Sequence, residues 1–268
     1  MIPNVLTIAG TDPTGGAGIQ ADLKTFSALG GYGMSVVTAL VAQNTTGVSA
    51  VYEVPPAFVR AQLDAVFDDV RVDAVKIGML GDVGVITAVA ELLDTRRPPY
   101  VVLDPVMVAT SGDRLLAPEA VATLRDELLP RVDVATPNLA EAADLLGTGP
   151  ATTEEAMAEH ARRLVALGLP RVLVKGGHLG ADRSPDLFVD GGAVHTLDAP
   201  RVDTRHTHGT GCTLSSAIAV LRPQRADWLT AARDAKAYVT EALRAADELD
   251  VGKGNGPVHH FHAIWERA

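Results

Sequence analysis

The stretch from His206 to Ala217, HTHGTGCTLSSA, carries the residue types and spacing best suited to chemistry in this chain. It opens polar, with Gly209 and Gly211, then turns apolar through Leu214, Ala217, Ile218 and Leu221 at helical intervals. That pattern predicts a permissive loop entering a helix. The first turn of such a helix has N–H groups without partners, and its dipole favours negative charge. A phosphoryl group can therefore dock at that turn, with the glycines letting it approach closely. Cys212, the sole cysteine, falls inside that turn. There the helix N-terminus is expected to lower its pKa and suit it as base, nucleophile or ligand. Taken alone, the same residues equally describe a glycine-rich cap followed by a small buried side chain.

Other candidates stand where strands end. Asn4 to Ala9 is a buried-strand pattern that runs into GTDPTGGAG and then a helix with Ile19, Leu23, Phe26 and Leu29 at helical spacing. The loop lacks G-x-G-x-x-G spacing, and no G-x-x-x-x-G-K-[ST] loop occurs anywhere in the chain. Asp12 within it is either a turn residue before Pro13 or a substrate-binding carboxylate at a strand end. Met34 to Gln43 predicts a second strand ending in QNTTG, where Gln43 caps a turn or aims its amide into a pocket. Ala74–Ile77, Tyr100–Leu103, Asp133–Ala135 and Arg171–Val174 are further short strands. They place Gly78, Asp104, Asn138 and Lys175 just beyond successive strand ends, where open α/β sheets bind ligands. Asp104 leads to Pro105-Val106-Met107 and a flexible Thr110-Ser111-Gly112, and Lys175 to Gly176-Gly177-His178.

The elements that must position these groups follow from periodicity. Helices are expected at Pro56–Val70, Val83–Leu93, Ala117–Leu129, after Asn138 with Glu141 on the same face, at Thr152–Leu167, and at Ala226–Leu249 with Lys236 in its middle. Asp186 to Pro200 predicts a hairpin around Asp190-Gly191-Gly192. Alternating strands and helices imply an α/β fold with a doubly wound, mostly parallel sheet and an antiparallel edge pair. No Pro/Ser-rich linker or internal repeat divides the 268 residues, which gives one domain over 1–268. Net charge is −10 with no long basic run, which argues against nucleic acid or an anionic membrane as partner. One cysteine and an N-terminus unlike a signal peptide lead us to expect a cytoplasmic protein.

In chain order, GTDPTGGAGIQADLKTF, TALVAQNTTGV, KIGML, VVLDPVM, TPNLAEA, VLVKGGH, HGTGCTLSSAIA and GNGPVHHF resemble the ribokinase-like superfamily. Within it they resemble the hydroxymethylpyrimidine/phosphomethylpyrimidine kinases of thiamine biosynthesis. Sugar kinases of that superfamily have an aspartate after the glycines, whereas this chain has Cys212, like the pyrimidine kinases and some pyridoxal kinases. The resemblance implies a three-layer α/β sandwich without a lid subdomain. It implies phosphorylation of 4-amino-5-hydroxymethyl-2-methylpyrimidine and then its monophosphate, with ATP and Mg²⁺ as cofactors and a homodimer as the assembly. It would assign Asp12, Gln43, Met79 and Val106 to the substrate, and Lys175, Asn138 and Lys236 to ATP. The backbone of Gly209, Thr210, Gly211 and Cys212 would form an anion hole for the phosphoryl group, Asp104 and Glu141 would hold the metal, and Cys212 would stand beside the substrate hydroxymethyl as base or positioning group. His259, His260 and His262 would belong to a structural terminus, and His206 and His208 to loop or cap positions. Pyridoxal kinase and a non-catalytic pyrimidine or nucleotide sensor are the competing readings.

Overall fold

The computed structural model describes residues 1–107, 116–177, 179 and 182–265. The expected Thr110-Ser111-Gly112 segment and His178 lie outside the described residues. Among the described residues ten strands form: β1 Asn4–Ala9, β2 Tyr32–Val37, β3 Ala39–Asn44, β4 Gly47–Glu53, β5 Ala74–Ile77, β6 Val101–Leu103, β7 Val134–Ala135, β8 Arg171–Lys175, β9 Asp186–Asp190 and β10 Ala193–Leu197. Between and after them run α1 Gly18–Ala28, α2 Pro56–Asp69, α3 Val83–Arg96, α4 Pro118–Thr123, α5 Leu139–Leu146, α6 Glu154–Ala166, α7 Thr210–Leu221 and α8 Trp228–Arg244.

Eight strands make one sheet in the order β10-β9-β8-β7-β6-β5-β1-β2. Pairing is parallel from β2 through β8, and β9 and β10 add antiparallel. Because successive side chains leave a strand on opposite faces, each central strand feeds two cores. Leu6, Val75, Leu103 and Ala135 pack with α2, α3, α5 and α6 on one face. Val5, Ala74, Val102 and Val134 pack with α1, α7 and α8 on the other. That is the expected three-layer α/β sandwich, and burial on both faces explains why these strands read as continuous apolar runs. The chain leaves β1 for β2 on one side and β5 on the other, so the carboxyl ends of β1 and β5 open a crevice at the switch point.

The hairpin came out as expected, with Gly191 (φ 56°) and Gly192 (φ 86°) supplying the two left-handed residues of a tight turn. Met34–Gln43 did not. At Thr38 the chain bends: its N–H donates to Ala9 O and its hydroxyl to Met79 O, so β2 ends and β3 begins in another sheet. β3 and β4 pair as a two-stranded antiparallel ribbon, and QNTTG is its turn. The helix expected over 117–129 is α only through Thr123 and then widens into a π turn, Leu124–Leu128, and a 3₁₀ turn containing Pro130. Proline lacks the N–H that would continue the α pattern. The helix expected over 226–249 starts at Trp228, because Asp227 caps it through Thr230 N, and ends at Arg244.

Candidate active site

Gly209 precedes α7 in a left-handed conformation (φ 77°), and no side chain among the described residues caps the helix. The first i→i−4 bond is Thr213 N to Gly209 O at 2.9 Å. The N–H groups of Gly211 and Cys212 come before it, so they are free to face an anion. A Cβ at Gly211 would lie 3.1 Å from Lys175 Nζ and 3.5 Å from Asp104 Oδ2. The helix terminus, a cation and a carboxylate therefore converge over a gap that a side chain would fill. Gly211 is not among the positive-φ glycines. Its value here is space, and only Gly209 needs the left-handed backbone.

Lys175 ends β8 and reaches across the sheet to Asp104 Oδ1 at 2.9 Å and Glu141 Oε2 at 3.7 Å. Asp104 follows β6, accepts from Thr136 Oγ1 at 3.2 Å and is almost fully buried. Burial would lower the Lys175 ammonium, but Asp104 and Glu141 outweigh it and hold the group above its ordinary value. Burial raises Glu141 to about 7, with the Asp104 charge adding to it and Lys175 opposing. Two neighbouring carboxylates with one lysine leave an excess of negative charge in a buried place. That donor set suits a hard divalent cation, which takes one or two carboxylates and keeps water and phosphate oxygens as its other ligands. Among the described residues, no group of three or more His, Cys, Asp or Glu could hold a metal by itself.

Asn138 caps α5, its Oδ1 accepting from Glu141 N at 2.9 Å while its own N–H donates to Glu141 Oε2 at 2.7 Å. This reciprocal capping box engages its side-chain oxygen and aims Glu141. Cys212 departs from expectation. The helix terminus was expected to lower the thiol, but burial dominates and pushes it up to about 11, despite the opposing charge of Lys76. Lys236 pairs with Asp186 at 2.7 Å, and Asp186 also accepts from Gly176 N at 3.0 Å. Its charge is thus matched within the protein, beside a pocket of about 450 Å³ lined by Thr196, Asp198, Arg233 and Thr240.

The glycine-rich loop after β1 closes the other side. Asp12 is fully buried and holds that loop together. Its Oδ1 accepts from Thr14 N (2.9 Å) and Thr14 Oγ1 (2.8 Å), and its Oδ2 from Gly16 N (3.1 Å), Ala17 N (2.8 Å) and His208 Nε2 (2.8 Å). Burial acts to raise it, but the bonds from His208, Thr14 and Gln43 prevail and hold it well below the usual carboxylate range. Asp12 therefore shapes the loop, with both carboxylate oxygens engaged within the protein. His208, expected as a loop residue, clamps the loop to α7, and a Cβ at Gly209 would lie on Gly16 O. Gln43 sits at a register shift in β3, half-buried and reaching Asp12. Met79 lies over Gly10, whose Cβ would meet Met79 Cε. Val106 is half-buried two residues past Asp104. His259 and His260 are buried in the C-terminal segment, as a structural terminus requires.

Two buried charges beneath this site, Lys76 and Asp22, were not among the residues expected to matter. The available signal was a lysine inside the four-residue strand AVKI, since charged groups are almost never fully buried unless paired.

Comparison with known proteins bears on this geometry. The phosphomethylpyrimidine kinase family model matches residues 12–259. The chain is 58% identical over 262 residues to the hydroxymethylpyrimidine/phosphomethylpyrimidine kinase of Escherichia coli, covering 98% of each. Its fold superposes on a phosphomethylpyrimidine kinase from Clostridium difficile with a TM-score of 0.80 and 42% identity, covering 91% of this chain and all of that one. It also superposes on an ADP complex of Bacillus subtilis pyridoxal kinase with a TM-score of 0.91 and 36% identity, covering 99% and 100%. The chain belongs to the phosphomethylpyrimidine kinase family.

Proposed function

We propose that this protein transfers the γ-phosphoryl group of ATP to the hydroxymethyl oxygen of 4-amino-5-hydroxymethyl-2-methylpyrimidine, and then a second one to the resulting monophosphate. The observation that carries the reading is the uncapped start of α7 facing Lys175 and Asp104 across the unfilled space at Gly211. Phosphoryl transfer passes through a loose transition state with charge on the equatorial oxygens, so positioning and fixed positive potential do most of the work. The N–H groups of Gly211 and Cys212 and the Lys175 ammonium supply that potential. Asp104 and Glu141 would hold Mg²⁺, which when bound neutralises developing phosphate charge. The thiol of Cys212 stands beside the acceptor hydroxyl as base or positioning group.

The acceptor lies between the Asp12 loop and the β3–β4 ribbon, with Gln43, Met79 and Val106 as its contacts. Gln43 offers a carbonyl and an amide NH₂, the complement of an aminopyrimidine edge. The nucleotide lies along Lys175, Gly176 and Asp186 towards the pocket beside Lys236. One domain over 1–268 is supported by a single eight-stranded sheet whose strands run from β1 at one end of the chain to β10. Leu40 and Tyr52, cross-strand partners on the ribbon, are 52% and 66% exposed. An apolar pair so exposed supports a homodimer through the ribbon, which sedimentation of a Leu40→Lys variant tests. A lone thiol fits the reducing cytoplasm, and among the described residues no helix is long and apolar enough to cross a membrane.

Pyridoxal kinase is the second reading, favoured by the superposition on the Bacillus subtilis enzyme. The higher identity to the Escherichia coli pyrimidine kinase ranks it below the first. ADP release measured with the pyrimidine alcohol, with pyridoxal and with neither separates the two readings from a non-catalytic sensor. Pyrimidine-dependent ADP release with mono- and diphosphate products is expected. Turnover on pyridoxal alone, or on neither, overturns the proposal.

A further inference from the structure

Thr7 and Lys76 are polar residues inside apolar strands, β1 (NVLTIA) and β5 (AVKI), and both are fully buried. Each lies two residues beyond a neighbour, Val5 and Ala74, that packs towards α1 and α7, so each points into that layer. There one carboxylate collects them. Asp22 of α1, also fully buried, accepts from Lys76 Nζ at 2.9 and 2.8 Å, from Thr7 Oγ1 at 2.6 Å and from Ser216 Oγ of α7 at 2.7 Å. The four elements joined at Asp22 are those whose ends build the crevice. Ser216 stands four residues after Cys212, so hydroxyl and thiol lie on one face of α7, a turn apart. A Cβ at Gly78 would lie 2.8 Å from Lys76 Nζ. The ammonium thus lies just under the strand ends, on the same side as the thiol.

We propose that Lys76 and Asp22 are a positioning pair for phosphoryl transfer: the buried ammonium favours the charged form of the Cys212 thiol, and Asp22 limits how much of that charge the thiol feels. The proposal rests on the reading that places Cys212 beside the acceptor hydroxyl. The charged groups that face the thiol are Lys76 on β5, Asp22 on α1, Asp104 after β6 and Lys175 on β8, with Gly18 N–H at the start of α1. Burial has the largest influence on it, Lys76 opposes burial, and Asp22 and Asp104 reinforce it.

Alkylation by iodoacetamide reads the thiolate directly, since the sulfur lone pair forms the S–C bond as iodide leaves, and Cys212 is the only thiol in the chain. The full-length protein and the variants Lys76→Met and Asp22→Asn would be alkylated across pH 7 to 10, with folding checked by circular dichroism. At pH 8 we expect Lys76→Met to react about tenfold more slowly than the parent, and Asp22→Asn severalfold faster, both effects arising from moved pH profiles. Equal rates, or shifts of the same sign in both variants, overturn the proposal. Should Lys76→Met fail to fold because it strands a buried carboxylate, the apolar pair Lys76→Met/Asp22→Leu replaces it. That variant must react more slowly than Asp22→Asn, and a matching rate overturns the proposal equally. Alkylation needs no turnover, so a failed contrast sinks the pair alone. A Cys212→Ala variant with parent-like kcat sinks instead the reading on which it rests.

Discussion

His260 should cost the protein stability in mild acid, through a contact at the foot of the anion hole. The ring is 4% exposed, and its Nε2 lies 3.1 Å from Thr213 Oγ1. Thr213 in turn sends both its N–H (2.9 Å) and its hydroxyl (2.8 Å) to Gly209 O. Burial, with the charges of Lys24 and His259 adding to it, pushes the imidazole from 6.5 down to about 3. The unfolded chain binds the proton near 6.5, and the folded chain only near 3. The stabilisation is therefore complete above 6.5 and is lost as pH falls towards 3. At about 1.4 kcal/mol per pH unit that gap sets a ceiling of about 5 kcal/mol, with about 2–3 kcal/mol gone by pH 4.5. His260→Gln removes the titration and keeps a polar side chain towards Thr213. Urea unfolding of parent and variant from pH 8 to 4.5 gives the difference between them, in which other titrating groups largely cancel. That difference should move by about 2–3 kcal/mol in favour of the variant. Parallel stability curves would refute the buried, neutral imidazole.

Gly211→Val should put a branched side chain into the gap facing Lys175 and Asp104, lowering kcat/KM by at least about 10²-fold in a folded protein. Near-parent turnover would mean the phosphoryl group is held elsewhere. Cys212→Ala should lower kcat about 10²–10⁴-fold with little change in KM, and parent-like kinetics would assign the thiol to packing. Gln43→Leu should weaken pyrimidine use by about 1–3 kcal/mol and pyridoxal use by less, read as kcat/KM on both. Equal losses would make Gln43 a support for the Asp12 loop, a role its reach to that carboxylate already gives it.

What the sequence made legible here is what periodicity and local chemistry encode. The strand ends carrying Asp104 and Lys175, the glycine-led start of α7 and the Gly191-Gly192 turn each follow from a rule that acts within a few residues. What escaped depends on who meets whom. Met34–Gln43 has no proline or glycine between Ser35 and Gln43 to mark a break, and β2 parts from β3 because Thr38 bonds to Ala9 and Met79, residues 29 and 41 positions away. Asn138 and Glu141 stand three residues apart, and that same spacing makes them a capping box, a contact that follows from where α5 starts. The Cys212 error has a sharper cause. Position at a helix N-terminus is a local property and favours the thiolate, whereas desolvation is set by β1, β5 and α1 closing around α7 and favours the thiol. Burial wins in this fold. A low-pKa cysteine cannot therefore be read from its place on a helix until the charges beneath it, Lys76 and Asp22, have been located.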